Sequence, residues 1–362
     1  MAFLPRWPDM APARLLDDGE CVASVLLAIA LAHLLGGTNV SWAAFSGFVV
    51  MRGHMAETLR RGVLRMVGTL LGAGLALVVT PQVLGRPLLA MAVVVLVATI
   101  SLYGAITARR AYAWLLFGLT FVMIVIDKLE RPQVVLAHFA ESRVMETLAG
   151  TLACVVVGLA SALTLRRRWP AAAPATPEGA GWQPLALRHA AQGGAALAVM
   201  LSLGQWLPLP AQVQAAITIM AVMLVPVTAV GPGKVAMVSR RIWQRIVGCV
   251  AGAAVAGVAL LAAQGQAPVL IAATALGVAV GRHLENGAQS RRYVGTQFTL
   301  AILVTLVPDS YAHAELAPGL ERLWGVLVGM AILEPVLICW HLLRPLKAPA
   351  PAPAGQGGTE TE

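Results

Sequence analysis

Charged residues are too scarce in this chain to clothe a soluble surface. Asp, Glu, Lys and Arg make up 12% of the sequence, against roughly 25% in a typical soluble domain, and 58% is hydrophobic. Most of the outside must therefore face lipid. Cysteine is equally sparse. Cys21, Cys154, Cys249 and Cys339 each sit inside or at the end of an apolar run, with no CxxC or Cys/His spacing, and read as small buried hydrophobes. No GxxxxGK[ST] is present, so the chain does not hydrolyse ATP itself, and no GxSxG, HExxH or paired-Asp motif offers membrane-embedded hydrolysis. With short loops there is little room for an extramembrane active site, so neither an enzyme nor a cofactor is expected. His138 and Glu141 lie one turn apart, but no further ligand converges on them and no metal is expected. The net charge of +9 does not point to nucleic acid, because the basic residues lie between apolar runs and form no basic domain.

What is present is a succession of apolar segments: 21–37, 40–55, 62–80, 87–108, 111–126 and 140–165, then 185–206, 213–229, 236–263, 267–281, 293–307 and 318–343. They predict an all-α polytopic membrane protein with about twelve transmembrane helices. Between the halves lies Arg166-Arg167-Arg168-Trp169-Pro170 and then AAAPATPEGAGWQP, a Pro/Ala/Gly-rich stretch that reads as a flexible linker. The division expected is a leader over 1–19, a first membrane repeat over 20–165, the linker over 166–184, a second repeat over 185–346 and a disordered tail over 347–362. Asp17, Asp18 and Glu20 stand where a cleavable signal would carry positive charge, so the first span is expected to be retained. With the N-terminus in the cytoplasm, 21 of the 26 Lys and Arg fall inside, leaving only Arg86, Lys128, Arg131, Arg143 and Arg322 outside. That bias predicts cytoplasmic termini and linker, hence an even number of spans per half and two parallel six-helix repeats.

The duplication is visible in residues. Arg61-x3-Arg65-x2-Gly68-x3-Gly72 in the first half recurs as Arg241-x3-Arg245-x2-Gly248-x3-Gly252, an offset of 180. Arg143…Gly150 recurs as Arg322…Gly329 at an offset of 179, with Glu141 and Glu321 just ahead of the two arginines. Two matches at one offset argue for an internal repeat. Gly68/Gly72, Gly248/Gly252 and Gly325/Gly329 are GxxxG pairs suited to close helix packing. On that reading alone the arginines simply snorkel. The second reading starts from Arg65 and Arg245, which lie a turn deeper than Arg61 and Arg241. A deep guanidinium costs about 2.5–3.5 kcal/mol on insertion scales and so faces a protein interior or a wet cavity. Two of them lining one cavity would bind anions, and carboxylates in particular. Arg143 with Glu146, and Arg322 with Glu321, could supply matching charges nearer the other face.

Short, interrupted spans in corresponding halves give a further pointer. The second span is brief before Arg52-Gly53-His54, and the eighth is brief before Pro226 and Gly231-Pro232-Gly233. Such pairs mark binding regions in transporters. Glu146 and Glu334, the latter followed by Pro335, are candidate protonation switches or structurally paired carboxylates. His33 reads as a packing residue.

The R-x3-R-x2-G-x3-G element after a short second span, and its recurrence in a second half, resemble the fusaric acid resistance family. The resemblance runs over essentially all of residues 20–343 and touches Arg61, Arg65, Gly68 and Gly72 with their counterparts Arg241, Arg245, Gly248 and Gly252. It implies a multi-pass bacterial inner-membrane exporter of aromatic carboxylic acids, with kinship to plant aluminium-activated malate transporters. On that basis the chain is expected to export small organic anions on the proton gradient. Arg65 and Arg245, with Arg143 and Arg322, would bind substrate, and Glu146 or Glu334 would exchange the proton. An anion channel and a non-transporting scaffold are the alternatives. Larger exporters of this type carry a sizeable cytoplasmic domain that the 166–184 linker does not provide. The partners expected are the organic anion and the bilayer; a periplasmic adaptor is implied by the resemblance, although the longest outer loops, 127–139 and 308–319, offer it little to dock on. The sequence does not set the oligomeric state.

Overall fold

The computed structural model describes residues 12–171, 179–226, 228, 235–287, 291–307 and 315–343. The expected tail, the core of the linker, Gly231-Pro232-Gly233, and the orientation markers Arg6, Lys234, Arg344 and Lys347 lie outside the described residues. Among the described residues all regular structure is helical: α1 (Pro12–Leu34), α2 (Val40–Val50), α3 (Met55–Val83), α4 (Pro87–Thr107), α5 (Ala111–Glu130), α6 (Leu136–Leu163), the single turn α7 (Leu165–Arg168), α8 (Pro184–Gly204), α9 (Gln212–Met223), α10 (Val235–Ala263), α11 (Ala267–Glu285), α12 (Arg292–Leu306) and α13 (Ala317–Leu343).

Every apolar segment expected from the sequence carries a helix, and α7 is the one addition. Among the described residues seven helices, α3, α4, α5, α6, α10, α11 and α13, are long and apolar enough to cross a membrane by length and composition. The equivalent helices α2 and α9 are apolar but have only 11 and 12 residues. At a rise of about 1.5 Å per residue, helices of that length span roughly 17 Å, about half a bilayer core. Twelve full crossings is thus the sequence reading, and seven is what helix length and composition support.

Six helices per repeat, with α7 set aside, return the chain to the face it started from. Contacts between repeats come in matched pairs: α1 packs on α11 as α8 packs on α4, and α2 packs on α12 as α9 packs on α5. A relation that swaps the repeats and keeps helix directions is an approximate two-fold axis running along the helices, the arrangement of parallel-repeat transporters. Within each repeat the glycine pairs set the closest contacts. A Cβ on Gly68 or Gly72 would meet the carbonyl oxygens of Ala113 and Phe117 on α5 at 2.5 Å each, and one on Gly248 or Gly252 those of Val294 and Phe298 on α12 at 2.7 and 2.5 Å. Gly329 meets the Ala215 carbonyl in the same way, and Gly325 is packed against Gln214, so both seat α13 on α9.

Several expectations need correcting in detail. Of the leader expected over 1–19, the described residues from Pro12 on belong to α1, and Asp17 and Asp18, with Glu20 at the start of the first repeat, are buried in that helix. Ion pairs described below compensate them. Of the expected flexible linker, the first residues form α7. Its far end lies on α4, where Ala180 N–H donates to the Thr107 carbonyl and Trp182 packs 5.6 Å from the Tyr103 ring. Cys21, Cys154 and Cys249 are buried, whereas Cys339 is exposed on the flank of α13. His33 lies in the exposed last turn of α1.

Candidate functional site

The two-fold axis passes through a cavity of about 240 Å³. It is lined by α2, α3, α5 and α6 and by their counterparts α9, α10, α12 and α13, while α1, α4, α8 and α11 take no part. At liquid density it would hold about eight waters, or one small organic acid. Its polar wall contains five arginines, Arg65, Arg143, Arg241, Arg245 and Arg322, and a single carboxylate, Glu146.

The four arginines singled out by sequence reach this cavity from opposite ends. Arg65 lies ten residues into α3, about 15 Å from the face that carries the chain ends, and Arg143 lies seven residues into α6, about 10 Å from the other face. The two pairs therefore meet at mid-depth instead of marking two separate boundaries. All four guanidinium side chains are buried, between 2% and 7% exposed, so each must be satisfied by protein or by a ligand.

Each x3-spaced arginine pair grips one tyrosine. Arg65 donates to the Tyr112 hydroxyl at 3.0 Å while Arg61 lies 5.7 Å over the ring; Arg245 donates to the Tyr293 hydroxyl at 3.2 Å while Arg241 lies 4.6 Å over that ring. The remaining donors also match: Arg65 to Ser46 Oγ at 3.1 Å, Arg245 to Thr218 Oγ1 at 3.2 Å. One turn of helix puts one guanidinium on the aromatic face and the other at the hydroxyl, which gives the R-x3-R spacing its physical content. Sequence reading missed both tyrosines, although their offset of 181 follows the repeat.

The match then breaks. Arg143 pairs with Glu146 at 2.7 Å and stacks between Trp42 at 4.8 Å and Phe139 at 5.2 Å. Its counterpart Arg322 donates to Gln297 Oε1 at 3.3 Å and lies 5.8 Å over Phe45. Gly325 stands where Glu146 stands in the first repeat, and Glu321 lines a second, larger cavity instead of pairing with Arg322. Glu334 is exposed on the outer flank of α13, away from the cavity. Of the two candidate proton carriers, only Glu146 lines the site.

Two features flank the cavity. Toward the face opposite the chain ends, a vestibule of about 900 Å³ shares Trp42, Met123 and Arg143 with it and carries Asp127, Glu130, Glu315 and Glu321. At the chain-end face an ion network joins the repeats. Asp17 of α1 accepts from Arg282 of α11 at 2.7 Å and from Asn286 at 2.6 Å, Glu20 accepts from Arg166 of α7 at 2.5 Å, Arg52 reaches Glu285 at 3.5 Å, and Asp18 faces His283 at 2.8 Å. Burial alone would raise the Asp17 pKa, but Arg282, Asn286 and Arg166 outweigh it and hold the carboxyl below its ordinary value. The sequence offered no signal for these contacts, since the partners on α1 and α11 lie 265 residues apart.

Over 132 residues, 34% of this chain, the sequence is 30% identical to aluminum-activated malate transporter 7 of Arabidopsis thaliana, and that stretch spans 26% of the plant protein. No solved structure matches the chain. The family model for fusaric acid resistance protein-like proteins matches residues 27–159 and 195–333, in both of the repeats just described, and the chain belongs to that family.

Proposed function

We propose that this membrane protein is a secondary transporter that exports small organic anions, aromatic carboxylic acids among them, on the proton gradient. The observation that carries the reading is the cavity between the repeats, where four buried arginines and the half-buried Arg241 face one carboxylate. Buried cations without matching anions are expensive, several kcal/mol each, and a bound carboxylate offsets that cost with charge-assisted hydrogen bonds. Trp42, Phe45, Tyr112 and Tyr293 on the same walls offer apolar surface to a ring. Glu146, paired with Arg143 in this cavity, is the group placed to exchange a proton as substrate comes and goes. The arginine and lysine bias favours cytoplasmic termini, and membership of the fusaric acid resistance protein-like family favours a bacterial inner membrane. On that orientation the ion network closes the cytoplasmic side and the vestibule opens outward.

A channel is the second reading. It is favoured by the likeness to a protein whose name describes malate transport, and it needs a continuous path without coupling. Flux of an aromatic carboxylate into proteoliposomes under an imposed pH gradient separates the readings. Uphill, gradient-dependent movement that disappears in the Arg65→Gln/Arg245→Gln double variant supports coupled transport. Downhill flux indifferent to the gradient supports the channel. No flux of any acid in protein proven to be folded leaves a scaffold role.

A further inference from the structure

At the chain-end face a separate cavity opens beside the ion network. It has a volume of about 280 Å³ and lies between the loop that follows α2, the end of α6 and the turn α7. None of its lining residues is shared with the central cavity. Glu20 fixes its depth, since it lines the cavity and stands immediately ahead of the apolar run 21–37. The cavity is therefore at the level where hydrocarbon gives way to headgroups. Trp169, with Arg168 5.2 Å over its ring, is an amphipathic anchor of the kind that settles at that level.

The wall carries three arginines, Arg52, Arg166 and Arg167, against one carboxylate, Glu20. Arg166 neutralises Glu20, to which it donates at 2.5 Å, and reaches Asp17 at 3.5 Å. Arg52 makes only long contacts with carboxylates, 3.5 Å to Glu285 and 4.0 Å to Glu57. Arg167 is exposed and has no ion pair among the described residues. Two guanidinium groups are thus poorly compensated beside a space that would hold about nine waters at liquid density, enough for a glycerophosphate. Much of the remaining lining is apolar: Met51, Met55, Gly158 and Ala162. Gly158 and Ala162 stand one turn apart on α6 and leave a furrow there, and their neighbours Leu159 and Leu163 are exposed on the flank. The repeat offset of 179 puts Leu337 and His341 at the places of Gly158 and Ala162, so this small-residue furrow belongs to the first repeat.

We infer that this cavity holds the headgroup of one anionic phospholipid per chain, with its phosphate on Arg52 and Arg167 and an acyl chain leaving along Gly158 and Ala162. A phosphodiester offers the anionic oxygens that guanidinium forks pair with, and a lipid brings the apolar chain that a soluble phosphate lacks. Arg166, in the same wall, ties α7 to Glu20 and Asp17 of α1, so a lipid seated here also fastens the chain-end network.

The test is native mass spectrometry of the purified full-length protein, with dioleoyl phosphatidylglycerol or dioleoyl phosphatidylcholine titrated into the detergent. Wild type should retain one phosphatidylglycerol about tenfold more tightly than phosphatidylcholine, the strength of one charge-assisted hydrogen bond. Arg167→Gln should weaken that adduct by about tenfold. Arg168→Gln makes the same loss of charge one residue away and outside the cavity, and should leave the adduct within about threefold. Both side chains are exposed, so the comparison disturbs no packed residue. Ala162→Leu fills the furrow without touching charge and should also weaken the adduct by about tenfold. Equal losses in R167Q and R168Q would overturn the inference, because diffuse attraction of a basic rim to anionic lipid treats the two alike. Equal retention of the two lipids, or an adduct untouched by A162L, would overturn it as well. So would displacement of the adduct by millimolar glycerol 3-phosphate, which would mark a site for soluble phosphate.

Discussion

Arg143 and Arg322 occupy equivalent places in two repeats, so exchanging each for glutamine makes the same change in two electrostatic settings. Arg143 is ion-paired to Glu146, which is 1% exposed. Removing one partner of a buried pair costs about 3–5 kcal/mol, and the low end applies here because the deserted carboxyl can take up a proton. Arg322 is 3% exposed and donates to Gln297 at 3.3 Å, and among the described residues it has no ion pair with a carboxylate. Its desolvation cost has little return in the unliganded protein, so Arg322→Gln is expected to stabilise by about 1 kcal/mol. Thermal unfolding in detergent, followed by the fluorescence of the nine tryptophans in buffer free of organic acids, reads both signs. The apparent Tm of R143Q should fall and that of R322Q should rise. Saturating benzoate should then lift wild type, by about 2.7 kcal/mol at a hundred times Kd, and should lift R322Q much less. A fall in both variants by similar amounts would refute the reasoning, because it would mean Arg322 is paid for within the protein as Arg143 is.

The chain-end network should behave as a coupled unit: Asp17→Asn and Arg282→Gln each lower the apparent Tm, and a double-mutant cycle by thermal unfolding gives a coupling of about 1–3 kcal/mol, whereas additive effects would separate the two residues. That contribution is expected to be present above the ordinary carboxylate range and to fade as pH falls through the depressed pKa of Asp17. Gly72→Leu drives a side chain into the Phe117 carbonyl and should cost about 1–3 kcal/mol or more by unfolding, while Gly74→Ala, which has nothing within 4 Å of its Cβ, should be neutral. In proteoliposomes, Glu146→Gln should abolish the dependence of flux on the pH gradient, and Glu334→Gln, on the outer flank, should leave it intact.

The architecture was legible because lipid imposes strong rules. Apolar run lengths located the helices, and one offset of about 180 residues located the repeat and its glycine contacts. The arginines were legible as unusual for the same reason. Their convergence was not, since Arg65 and Arg143 approach mid-depth from opposite faces and only the fold says how far each helix carries them. Tyr112 and Tyr293 were within reach of the repeat argument, but a tyrosine in an apolar run carries no cost that draws attention. Glu146 and Glu334 looked alike in sequence. Which side of a helix faces the axis separates them, and that depends on packing between α6, α13 and their neighbours. The pairing of Asp17 with Arg282 depends on α1 meeting α11, a contact between repeats that no local pattern encodes.

The central claim is that a small organic acid sits on the axis between the repeats. A structure of the full-length protein in lipid nanodiscs with 4-iodobenzoate tests it most directly, because iodine gives a strong, unmistakable density. The account predicts that density inside the central cavity, with the carboxylate among the arginines that line it. Iodine found only on the lipid-facing flanks, with the cavity vacant at saturating acid, would contradict it.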